Sequence, residues 1–119
     1  MSLLPVVHSA RVETASVSLT LAVPSSLDYF PGHFPNLPIL PGVVQVDWVT
    51  RLAREHLGIS CTGFSALRTL KFSAPVLPDT TLTLQITWVP EKQRLDFGYR
   101  AGQRLVSSGQ IAFVADAAA

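Results

Sequence analysis

The clearest alternation of apolar and polar positions lies in Thr80–Val89, where Leu82, Leu84, Ile86 and Trp88 face one way and Thr81, Thr83, Gln85 and Thr87 the other. A period of two over that length predicts an amphipathic strand. Residues 10–23 alternate too: Val12, Thr14, Ser16, Ser18 and Thr20 share one parity, and Val17, Leu19, Leu21 and Val23 share the other. The second half of this run predicts a strand, ended by Pro24-Ser25-Ser26. Strands are also predicted over Phe64–Val76, bounded by Pro75 and Pro78, and over Arg94–Ala101 and Leu105–Val114, which form a hairpin around Gly102-Gln103. Pro90-Glu91-Lys92 turns the chain, and the tail 115–119 is expected to fray.

Between the first strand and these later ones the period changes. Pro31, Pro35, Pro38 and Pro41 each fix their own φ and bias the preceding residue away from helix, so this stretch is an extended, turning loop. From Gly42 to Leu57 the apolar residues Val43, Val44, Val46, Val49, Leu52, Ala53 and Leu57 fall near helical spacing, with Pro41 at the start and Gly58 as the stop. Four valines are poor helix formers, so the first half of this helix is expected to be buried on most sides. Arg51, Arg54, Glu55 and His56 place its second half toward solvent. One strand, a loop, one long helix and four strands predict an α+β domain spanning 1–119: a curved antiparallel sheet wrapped around one central helix.

Composition narrows the function. Of 119 residues 48% are hydrophobic and 14% charged, a low charge count for a small monomer with much surface. A homo-oligomer is therefore expected. A formal net charge of +1 and the lack of a basic run argue against nucleic acid. The single cysteine, Cys61, permits no intrachain disulfide and no cysteine pair for a metal; it is expected to be buried or half-buried. The start, MSLLPVVHSARVE, has no basic leader followed by a long apolar run, and no apolar stretch is long enough to span a bilayer. A soluble cytoplasmic protein is expected. His8 and His56 are expected to face solvent.

The stretch Tyr29–Trp48, YFPGHFPNLPILPGVVQVDW, holds the candidate chemistry. His33 sits in the proline-rich loop, and Asp47 follows on the helix. A base and an acid on rigid backbone are the parts needed to take a proton from carbon and expel a leaving group. Burial would make Asp47 costly unless it is paired or protonated. An i,i+4 ion pair with Arg51 explains the same acid structurally; a surface pair would be exposed, a catalytic acid would face a tunnel. Gly42, at the helix start, offers a backbone N–H where the helix dipole favours developing negative charge, and its missing Cβ admits a substrate.

The run GHFPNLPILPGVVQVDW (Gly32–Trp48) resembles the motif of the 3-hydroxyacyl-(acyl-carrier-protein) dehydratases, a family with the hotdog fold. LKFSAPVLPDT (Leu70–Thr80) resembles a second block of that family, without its usual glycine after the proline. Asp47 stands where many members have glutamate and one branch has aspartate. PGVVQVDW and the short length look most like the small ApeI-type dehydratases of aryl-polyene and related polyketide-like lipid clusters.

This resemblance implies dehydration of a (3R)-hydroxyacyl thioester to the trans-2-enoyl thioester in fatty-acid or aryl-polyene biosynthesis. His33 would be the base, Asp47 the acid and Gly42 N–H the donor to the thioester oxygen. No metal or redox cofactor is implied, since the substrate rides on the phosphopantetheine arm of an acyl carrier protein. Phe34, Leu37, Leu40, Val43, Val44 and Trp48 are candidates to line the acyl channel. Arg68 and Lys71, with Arg51 and Arg54, are candidates to dock the carrier. The family works as a dimer whose sites join the histidine of one subunit to the acid of the other, and pairing with a related hotdog subunit is open. A hotdog thioesterase and a non-catalytic acyl-binding partner subunit are the alternatives.

Overall fold

The computed structural model describes residues 5–23, 40–59, 63–77 and 79–114, with backbone alone at 63–65 and 114. Strands β1 (Val6–Val12) and β2 (Ser16–Ala22) precede helix α1 (Gly42–Leu57). Strands β3 (Gly63–Phe72), β4 (Thr81–Val89), β5 (Arg94–Ala101) and β6 (Arg104–Val114) follow it. All strand pairs are antiparallel, in the order β1-β2-β4-β5-β6-β3.

The sheet is amphipathic because its strands alternate in register. Leu19 pairs with Leu84, Leu84 with Tyr99, and Tyr99 with Ser107, forming one inward row. A parallel row runs Val17, Ile86, Phe97 and Gly109. These rows share one hydrophobic core with Val44, Trp48, Val49, Leu52 and Ala53 of α1. Pro41 is extended (φ −60°, ψ 145°), and its carbonyl accepts the N–H groups of Val44 and Gln45 to start the helix. Gly58 ends it in the left-handed conformation (φ 62°) and donates to the Arg54 carbonyl, as helix C-termini commonly do.

Three expectations are corrected. The strand read in the second half of 10–23 is β2, but it is not the first: residues 6–12 form an additional strand, with Val12 and Val17 paired across a turn at 13–15 that Glu13 N–H closes to the Ser16 carbonyl. Every residue of β1 is exposed, so its sequence has no buried face to impose a period. β3 stops at Phe72 rather than Val76, because Ser73 and Ala74 both donate to the Val106 carbonyl and Pro75 then has no N–H to give. The first half of α1 is buried on one side only: Val44, Gln45, Trp48 and Val49 face the core, while Val43 is 77% exposed.

β3 carries an irregularity that bears on packing. Arg68 pairs with Gln110 and Lys71 with Ser108, so Thr69 and Leu70 together oppose Gly109. This is a β-bulge, and Thr69 takes the uncommon φ of 50° to make it. Leu70 is thereby turned over Gly109, where an added Cβ would lie 2.5 Å from Leu70 Cδ2 and 3.1 Å from the Phe97 ring.

Candidate functional site

The site residues named from sequence divide between described and undescribed parts of the chain. His33, Phe34 and Leu37, like Cys61, lie outside the described residues. Gly42, Asp47 and the other helix residues are placed. Gly42 is the first residue of α1; its amide precedes the first intrahelical hydrogen bond and so belongs to the group that a helix leaves for outside acceptors. The space above its Cα is taken by Phe72, whose Cζ would stand 2.7 Å from an added Cβ. The missing side chain therefore admits the Phe72 ring in this protomer.

Asp47 sits on the helix face away from the core, on a stripe with Val43, Arg51 and Arg54. Arg51 Nε donates to Asp47 Oδ2 at 2.7 Å, and the two side chains are 59% and 48% exposed. The i,i+4 pair read from spacing is thus formed, and it is formed at the surface of the protomer. Such pairs contribute little, so Arg51→Gln is expected to change the unfolding free energy by less than about 0.5 kcal/mol in urea titration. A loss above about 1 kcal/mol would mean that this helix face is covered in the assembled protein.

Of the expected channel residues, Leu40, Val44 and Trp48 belong to the buried core cluster, whereas Val43 projects outward. Arg68 and Lys71 are both exposed on edge strand β3, on either side of the bulge. His8 is exposed as expected. His56 differs, since its Nε2 is buried without a hydrogen-bond partner.

Beneath Gly42 lies a polar cluster that the sequence reading did not single out. Gln45 is 3% exposed. Its Nε2 donates to the Leu40 carbonyl at 3.2 Å. Its Oε1 accepts from Ser107 Oγ at 2.7 Å, and its main-chain carbonyl accepts from the Tyr99 hydroxyl at 2.6 Å. Burial, and after it the charge of Asp47, pushes the Tyr99 phenol well above the ordinary tyrosine range, so the hydroxyl remains a donor. The available signal was a glutamine on the apolar face of a valine-rich helix.

Residues 9–110 match the ApeI-like family, described as ApeI dehydratase. One similar solved structure is the dehydratase heterocomplex ApeI:P from Xenorhabdus doucetiae, 35% identical, with 94% of this chain and 97% of that chain covered and a TM-score of 0.84. A second, a protein from Erwinia carotovora subsp. atroseptica described as uncharacterized, is 38% identical over 93% and 96% of the two chains, with a TM-score of 0.79. The 3-hydroxyacyl-(acyl-carrier-protein) dehydratase FabZ of Zymomonas mobilis is 33% identical over 76% of this chain and 65% of its own length. Across the FabZ relatives matched first, the chain spans 52% to 65% of their length. Among the described residues, no helix is long and apolar enough to cross a membrane.

Proposed function

This chain belongs to the ApeI-like dehydratase family, and from that premise we propose that it removes water from a (3R)-hydroxyacyl thioester carried on an acyl carrier protein. The observation that carries the reading is the family match over residues 9–110, a span that includes His33, Gly42 and Asp47. His33 takes the proton from the carbon next to the thioester carbonyl; an imidazole with an ordinary pKa of about 6.5 suits a base near neutrality. Negative charge then grows on the thioester oxygen, where the Gly42 N–H and the start of α1 stabilise it. The bond from the β-carbon to its hydroxyl breaks, the double bond forms between the α- and β-carbons, and Asp47 directs or supplies the proton with which hydroxide leaves as water.

Two features favour a site shared between subunits. The Asp47 face of α1 points away from its own core, and Val43 leads that face into solvent. Leu67 and Phe72 on edge strand β3, and Leu77 beyond it, are exposed as well. An apolar edge strand of this kind is a surface for pairing, so a second subunit laid along β3 and α1 would cover these residues and bring Asp47 to the partner's loop. Arg68 and Lys71 then stand on the exposed side of β3 as the cations for an acidic carrier protein or its phosphate. The aryl-polyene setting fits the ApeI-like family. A fatty-acid role would use the same chemistry.

The test is to incubate the purified protein with 3-hydroxyacyl thioesters on carrier protein and follow the acyl group by mass. Loss of one water is expected. Release of free acid would mean a thioesterase, and no change across several acyl chains would mean a binding or partner subunit.

A further inference from the structure

The chemistry proposed above makes no use of Gln45, yet this polar side chain is buried with both ends of its amide engaged. The direction of those bonds is informative. Leu40 is held at both of its backbone groups: its N–H donates to the Val76 carbonyl at 2.7 Å, and its carbonyl accepts from Gln45 Nε2. Only Pro41 separates Leu40 from Gly42, and Pro41 has one soft dihedral fewer than other residues. The Gln45 side chain therefore reaches back over the helix start and fixes the carbonyl two residues before Gly42. Its far end is anchored to the sheet by Ser107 of β6, one strand in from the edge strand β3, and its own carbonyl by Tyr99 of β5. Tyr99 and Ser107 are paired neighbours in the same inward row, so both anchors refer to one rigid point.

We infer that Gln45, held by Ser107 and Tyr99, is a positioning residue that aims the Gly42 N–H at the reacting thioester oxygen. A purely structural role would need no such tie, because an apolar residue fills a core position on this helix face as Val49 and Leu52 do. A hydrogen-bond donor used for charge stabilisation must instead be held to a fraction of an ångström, since it acts only if it is already in place when charge develops. The inference rests on the dehydratase reading.

The experiment compares wild type with Gln45→Met and Ser107→Ala in dehydration kinetics, alongside circular dichroism and thermal unfolding. Gln45→Met keeps the side chain's length and removes the tie to Leu40. Ser107→Ala frees only its far end. Expected are a fall in kcat of about tenfold or more for Gln45→Met and about threefold for Ser107→Ala, with KM changed less than about threefold in both. Folded variants with wild-type kcat, or a loss confined to melting temperature, would overturn the inference while leaving the dehydratase reading intact. Should Gln45→Met not fold, Ser107→Ala decides on the same criterion. A wild-type protein without dehydration would overturn both readings together.

Discussion

Replacing His33 by alanine is expected to lower dehydration turnover by about 10²–10⁴-fold, the usual contribution of a positioned acid or base. Asp47→Asn is expected to fall in the same range. Neither change should unfold the protein: Asp47 is exposed in the protomer, and its pair with Arg51 is a surface pair. The two variants also test how the sites are built. If each site takes His33 from one subunit and Asp47 from the other, mixing the two inactive proteins under conditions that exchange subunits restores part of the activity. A mixed dimer then holds one site with both residues intact. If both residues come from the same chain, the mixture stays as inactive as its parts. Wild-type turnover in both single variants would remove the assignment altogether.

Trp48→Ala is expected to destabilise the protein by about 3–5 kcal/mol, the range for deleting a buried indole. Trp48 is 0% exposed and lies in the core shared by helix and sheet. Against a typical domain stability of about 5–15 kcal/mol this is a large fraction, readable as a shift of the urea midpoint. The magnitude also bears on substrate binding. A tryptophan that formed the wall of an open acyl channel would leave less packing to lose, so a cost below about 1 kcal/mol with a raised KM would return Trp48 to the channel. The full cost, with binding altered only through folding, would assign it to the core.

Local patterns were legible in the sequence and long-range contacts were not. The helix could be bounded to Gly42–Leu57 because Pro41 and Gly58 punctuate a 3.6-residue period, and the observed helix has those limits. The alternation in Thr80–Val89 reads out directly as β4, and the antiparallel sheet packed on a long helix stands as the order of elements predicts. The Asp47–Arg51 pair was legible because it is local, four residues apart on one helix. The polar cluster was not, since Gln45 and Ser107 are 62 residues apart and nothing near either one announces the other. β1 was illegible for a different reason: a strand exposed at every residue is under no hydrophobic pressure to alternate. The bulge at Thr69-Leu70 was hidden because its cause, the empty Cβ position of Gly109, lies on another strand.

That bulge and its glycine carry a consequence for how the last edge of the sheet assembles. A strand can slip by one residue along its neighbour at little cost in backbone hydrogen bonds, and side chains must forbid it. Here Leu70 works as a tooth and Gly109 as its notch. One step either way would set Leu70 against Ser108 or Gln110, each with a Cβ in the way. Two residues further on, Phe72 meets a second notch at Gly42. β3 is therefore keyed twice, once to the sheet and once to the helix start. The edge that would receive a second subunit acquires its alignment from the same two glycines that let the protomer close.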